Sequence, residues 1–262
     1  RWADVEYAAS HPELTDSAVT PSPLDRVMGG KSILVLDGEP QKKLRAMLDP
    51  SLRPRVVEAT TPGLIEPLVD ELLDGLAERG EAELMADYFE PVSVRGLGRV
   101  LGLGHLDGDT LRRWFHGLAQ GAVNFESDPA RWAISDTTGA EIDRELAPVL
   151  ERMWVEPDDS TISTMLQHAE GSFEERVAQI LPTLKVILLG GMQEPGHAAG
   201  TTLVGLLSSG QAAEVAADSG RLLRDAIEEG LRWVSPIGTQ TRRTRVDVEL
   251  GGVTVPAGEN LG

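Results

Sequence analysis

The 262-residue chain contains no cysteine. That excludes a disulfide framework and, within these residues, any thiolate-ligated metal. Aromatic residues are scarce, at 4% of the chain. Positive charge is short as well: 24 Lys and Arg stand against 42 Asp and Glu, for a formal net charge of -18. So acidic a polypeptide repels phosphate backbones, and neither nucleic acid nor an anionic membrane surface is an expected partner. No apolar run approaches the ~20 residues needed to span a bilayer. No signal peptide is visible, although the chain opens at Arg1 rather than Met. These absences predict a soluble, cytoplasmic protein.

Hydrophobic residues make up 41% of the chain. A chain of this length removes roughly 70–75% of its unfolded surface from water on folding, enough for a large core. There is no internal repeat, and the 28 glycines and 16 prolines are spread without a linker. One mainly α domain over residues 1–262, with a small β part, is the expected architecture. The helical period is plain in Ile65, Leu68, Val69, Leu72, Leu73 and Leu76, and again over 107–124, 135–154, 158–168 and 222–234. Asp107 or Asp109 is placed to cap the second of these. Extended pieces are expected at 32–36 and in a hairpin formed by 246–250, the turn Gly251–Gly252 and 253–255.

One stretch stands apart. Residues 176–189, RVAQILPTLKVILL, are apolar on nearly every face toward their end, which predicts a helix through the middle of the protein. The run then meets Gly190-Gly191-Met192-Gln193-Glu194-Pro195-Gly196-His197. Two glycines and a proline there predict a broken hydrogen-bond ladder, with Glu194 polar in a buried kink. A break of that kind in a central helix points to function.

Further motifs follow in order. Asp37-Gly38-Glu39-Pro40-Gln41-Lys42-Lys43-Leu44-Arg45 opens a short basic helix, and Pro157-Asp158-Asp159 opens another. Glu229-Gly230-Leu231-Arg232 is a Glu-x-x-Arg, followed by Pro236, Arg242, the Gly251–Gly252 hairpin and Val255-Pro256-Ala257-Gly258-Glu259. Glu-x-x-Arg alone carries no weight, since Glu141-Ile142-Asp143-Arg144 satisfies it as an ordinary i,i+3 surface pair. The whole series resembles the soluble bacterial cytochrome P450s along nearly the whole chain.

The resemblance implies the P450-like helical fold, incomplete at both ends, and the activity of a haem-thiolate monooxygenase that inserts one oxygen atom of O2 into a small organic substrate. It implies haem b, with Gln41, Arg45 and Arg242 near the propionates and Gly190 and Gly191 leaving room on the distal side. The chain stops at Gly262 before the family's cysteine loop, so the thiolate for the iron is absent from these residues. A ferredoxin or flavin reductase would supply electrons, with Lys42, Lys43 and Arg53 as contacts. Where the family has an acid and then a threonine, this chain has Gln193 and Glu194, which makes these two the candidate catalytic pair for proton delivery. That pair is similar to one in a minority of members, some of which dealkylate small ethers or aromatic methoxy compounds. Glu229 and Arg232 are expected as a buried structural ion pair.

Each assignment has a plainer counterpart. Arg45 and Arg242 could be solvated charges, Glu194 could open a second helical half, and the two glycines could serve close helix packing. Trp114, Phe115 and Phe125 could contact substrate or fill the core. His11, His105, His116 and His168 show no metal-ligand spacing, and His197, one turn beyond the proline, is read as a satisfied polar group with no role. Two rivals remain in view. One is a truncated or decayed P450 scaffold that binds no haem. The other is a helical ligand-binding domain, which predicts an unbroken central helix and no approach of Arg45 to Arg242.

Overall fold

The computed structural model describes residues 1–218 and 220–262. The helices in chain order are α1 (Trp2–Ser10), α2 (Pro23–Met28), α3 (Gly38–Leu52), α4 (Pro54–Arg79), α5 (Glu90–Leu101), α6 (Gly108–Ala122), α7 (Pro129–Val155), α8 (Thr161–His168), α9 (Phe173–Ser209), α10 (Ala212–Ala217) and α11 (Arg221–Trp233). A π-helical turn, Met85–Phe89, leads directly into α5. The β part is small. Strands β1 (Thr15–Asp16), β2 (Arg242–Thr244) and β5 (Asn260–Leu261) form an antiparallel sheet in the order β1-β2-β5. The hairpin is shorter than expected: β3 (Val248–Leu250) pairs with β4 (Val253–Val255) around Gly251–Gly252.

Local chemistry sets the helix starts. The Asp107 carboxylate accepts from the Thr110 amide at 2.8 Å and the Thr110 hydroxyl at 2.9 Å, which opens α6 and lowers the Asp107 pKa. Pro129 occupies the first turn of α7 behind Asp128, whose side chain accepts from the Ala130 amide. Ser172 and Glu175 form a reciprocal capping box at the start of α9, which ends at Gly210 with φ 74°. Two expectations fail here. Residues 32–36 are not extended but form an irregular turn, because they have no strand to pair with; the Ile33 amide instead donates to the Thr183 hydroxyl on α9 at 3.1 Å. Glu141 does not pair with Arg144 but turns to α6, accepting from Arg113 at 2.6 Å and the Trp114 indole at 3.1 Å; these bonds, in that order, lower its pKa.

Helix α9 is the axis of the molecule, with α2, α3, α5, α6, α8, α10 and α11 packed around it. Its first half is buried on several sides at Ile180, Pro182, Thr183, Leu184, Lys185, Val186 and Leu188, as its sequence requires. Lys185, only 5% exposed at the side chain, pairs with Asp143 of α7 at 2.7 Å. A single cluster joins Trp114, Leu118, Ile142, Leu146 and Met153 to Ile180, Leu184 and Leu188.

Helices α6 and α7 approach closely at Gly117, where a Cβ would lie 2.8 Å from both Cβ and Cγ2 of Thr138. Gly117→Ala is therefore expected to destabilise the fold by about 1–3 kcal/mol through overpacking, read as a lower urea midpoint at unchanged slope. Partial recovery of the midpoint on adding Thr138→Ala, which removes Cγ2 and the hydroxyl but keeps Cβ, would identify the clash; no recovery at all would place the cost elsewhere.

Candidate functional site

Helix α9 runs unbroken through Gly190–Gly196, contrary to the kink the sequence predicts. Packing of Gly191 and Gly196 against the start and middle of α5 keeps the segment helical, and the defect shrinks to the single amide that Pro195 lacks. The glycines divide into two roles. A Cβ at Gly191 would meet Leu97 Cδ2 at 2.9 Å, and one at Gly196 would meet the Phe89 carbonyl at 3.1 Å. Gly191 thus serves contact with α5 rather than room for a ligand. Gly190 lies on another face, where a Cβ would stand 2.9 Å from the Glu194 carboxylate one turn on. Its missing side chain is the space into which Glu194 folds back.

Glu194 is half-buried and has no hydrogen-bond or ion-pair partner among the described residues. Burial alone raises its pKa above the ordinary 4.5 of a glutamate. Gln193 is likewise half-buried beside it, and His197 is exposed. A partly buried, unpaired carboxyl of raised pKa can hold a proton at a pH where surface carboxylates are ionised, and can release it to a neighbour.

A second feature lies where the chain's ends meet. Ser17, Val19, residues 21–24 and 33–35, Asp37, Gln41, Ala122, Phe125, Ile237 and residues 239–242 line a cavity of about 480 Å³. Leu24, Ile33, Leu34, Val35, Phe125 and Ile237 give it apolar walls, while Gln41 and Arg242 bring an amide and a guanidinium. Pairing of β1 with β2 holds Arg242 here, beside Asp37, whose Oδ1 lies 3.8 Å from the guanidinium. Asp37 is in turn fixed by the Ser17 amide and hydroxyl, at 2.7 and 2.6 Å. Sequence reasoning treated Asp37 only as part of a motif; its partner lies 20 residues upstream in no recognisable pattern.

The other named residues fall elsewhere. Arg45 is exposed and turned to Asp49 of its own helix at 2.9 Å, away from the cavity lining. Lys42, Lys43 and Arg53 are exposed, with Lys42 on Glu39 at 2.6 Å. Glu229 and Arg232 form the expected bidentate pair at 2.7 Å, but at side-chain exposures of 61% and 71% it is a surface pair. Leu231 and Trp233 of the same helix are exposed too. Trp114 and Phe115 belong to the core, whereas Phe125 is 68% exposed at the cavity. No cluster of metal-ligating side chains exists among the described residues, and no helix of these residues is long and apolar enough to cross a membrane.

No protein-family model matches the chain. Individual relatives do. Cytochrome P450 CYP107DY1 of Priestia megaterium is 26% identical over 250 residues, covering 94% of this chain and 59% of that protein. The vitamin D(3) 25-hydroxylase of Pseudonocardia autotrophica is 28% identical over 280 residues, covering 99% and 64%. The crystal structure of myxobacterial cytochrome P450 CYP267B1 in complex with myristic acid superposes with a TM-score of 0.84 at 25% identity, over 99% of this chain and 66% of that one. The chain thus spans about three fifths of the length of the curated relatives it matches. An unbroken central helix, taken from the sequence as the mark of an unrelated helical domain, does not separate the two cases. Relatives and fold agree: the chain is similar in sequence to bacterial cytochrome P450s and has their fold over the length it spans.

Proposed function

We propose that the protein is a haem-thiolate monooxygenase that inserts one oxygen atom of O2 into a small apolar organic substrate, with Glu194 as its proton relay. The observation that carries this reading is the unpaired, half-buried Glu194 carboxyl in the middle of the longest helix, folded into the space over Gly190. The donor set at the cavity suits the carboxylate edge of a haem. Gln41 and Arg242 offer an amide and a forked guanidinium at one end of apolar walls, and Asp37 already shows that the Arg242 position attracts a carboxylate. Gln41 and Arg242 would hold the propionates, and Arg45 would join them on release from Asp49. The iron ligand is not supplied here, since these residues include no thiolate. Bound haem would supply the activation of dioxygen.

The chain's own tasks follow from its geometry. The α5 contact at Gly191 and Gly196 fixes the turn that bears Glu194, and burial keeps that carboxyl protonated to a higher pH. The likeness of the Gln193–Glu194 pair to that of ether-dealkylating members makes O-dealkylation of small ethers or aromatic methoxy compounds the first substrate class to assay. Electrons would arrive from a ferredoxin or flavin reductase, with Lys42, Lys43 and Arg53 an exposed basic contact on an acidic protein.

The test is an absorption spectrum of the full-length protein purified with haem, reduced by dithionite under carbon monoxide. A strongly red-shifted Soret band is expected, its thiolate coming from outside these 262 residues. Haem bound without that band would mean that no thiolate ligates the iron and would overturn the monooxygenase reading, and failure to retain haem at all would favour the scaffold reading. In the same preparation Arg242→Leu is expected to weaken haem retention about ten- to hundredfold, by loss of one charge-assisted hydrogen bond. Unchanged retention would remove Arg242 from the site.

A further inference from the structure

We propose that Ser93 is a positioning residue for Glu194: its hydroxyl takes up the Gly191 carbonyl that Pro195 leaves without an amide partner, and so holds the turn of α9 that carries the carboxyl. The purpose of this contact rests on the relay reading of Glu194, but its geometry does not.

In a regular helix the carbonyl of residue 191 accepts from the amide of residue 195. Pro195 has no amide hydrogen, and its ring crowds that same carbonyl. The usual outcomes are a kink or an inserted water. Here the helix stays whole, and the Ser93 hydroxyl of α5 donates to the Gly191 carbonyl at 3.4 Å. That direction is unusual for a hydroxyl within a helix, which ordinarily bonds the carbonyl four residues back. Thr60, Thr137, Thr138, Thr201 and Thr202 all do so in this chain. Ser93 instead crosses to another helix.

The register of the two helices makes the crossing possible. Met85, Phe89, Ser93 and Leu97 recur every four residues and so share one face. Opposite them, running the other way, a Cβ at Gly200 would lie 2.6 Å from Met85 Sδ, one at Gly196 3.1 Å from the Phe89 carbonyl, and one at Gly191 2.9 Å from Leu97. These three close approaches seat the glycines of α9 on that face, and they set Ser93 level with the turn from Gly191 to Pro195. Glu194 sits inside that turn. A carbonyl free to swing there would let the turn rotate and carry the carboxyl away from its place over Gly190.

A double-mutant cycle on the full-length protein tests this. Ser93→Ala is expected to lower Tm by about 2–4 °C when residue 195 is proline. Combined with Pro195→Ala, which restores the missing amide, the same change is expected to have no effect. The second readout, taken near pH 4 where a carboxyl of raised pKa holds its proton, is the infrared stretch of the protonated Glu194 carboxyl, identified as the band that Glu194→Gln removes. It is expected to shift and broaden in Ser93→Ala. Equal Tm losses in both backgrounds would overturn the pairing, and a context-dependent loss with an unmoved carboxyl band would overturn the positioning role. Full turnover in Glu194→Gln would sink the relay reading alone and leave cycle and band as they stand.

Discussion

Trp114→Ala is expected to be the most destabilising single change in the helical core, at about 3–5 kcal/mol. Trp114 is fully buried on α6, in one cluster with Leu111, Leu118, Ile142 and Leu146, where α6 lies along α7. Removing an indole leaves a cavity that two long helices, already in contact at Gly117, cannot close by shifting. Its polar edge matters less. The indole nitrogen donates to Glu141 at 3.1 Å, but Glu141 keeps the Arg113 guanidinium at 2.6 Å and so is not stranded. Trp114→Phe, which keeps most of the volume and loses only the donor, should therefore cost about 1 kcal/mol. Urea unfolding of the pair gives the comparison. Similar losses in both variants would mean that the hydrogen bond, not the volume, holds the α6–α7 contact.

The same residue shows what the sequence discloses and what it withholds. Periodicity marks α6, and the sequence offers Asp107 or Asp109 as its cap, of which the structure uses Asp107; helix and cap are written within a few residues of each other. The buried first half of α9 was legible for the same reason. Whether Trp114 met substrate or core was open, since that depends on α7, which approaches it through residues 27 or more positions away. Helix α4 begins at Pro54 rather than near Ile65: its early turns are almost wholly exposed, so no apolar stripe announces them, and Pro62 lies within them. The expected kink at Gly190–Gly196 was a reading of local propensity, and the packing of α5 overrode it.

The candidate site was legible to the same extent and no further. Glu194 stood out because a carboxylate between glycines and a proline in an apolar helix is locally inconsistent. Gln41 and Arg242 came from the family resemblance, and the structure lines one cavity with both. Arg45 faces Asp49, an i,i+4 neighbour that any helix would offer it. Ser17 on Asp37, and Ser93 on Gly191 across 98 residues, leave no mark in the linear sequence; a serine in a helix looks the same wherever its hydroxyl points.

Glu194→Gln separates function from folding by moving them in opposite directions. In the haem-loaded full-length protein, coupled turnover is expected to fall about 10²–10⁴-fold, the usual contribution of a positioned proton donor. The amide keeps the shape of the carboxyl over Gly190 but cannot give up a proton. Stability should respond the other way. Burial raises the Glu194 pKa, so folding favours the protonated form. Below the ordinary glutamate value of 4.5 both states of the chain hold that proton, and the variant gains nothing. As pH rises from there through the raised folded value, the wild-type protein must either keep a proton that the unfolded chain has released or bury a charge. Either course costs stability that the neutral amide does not lose. Tm of the glutamine variant should therefore match the wild type near pH 4 and exceed it at pH 7. A variant that turns over slowly and melts higher at neutral pH has lost a proton donor, not its fold. Turnover unchanged at every pH would mean that protons reach the reaction by another route.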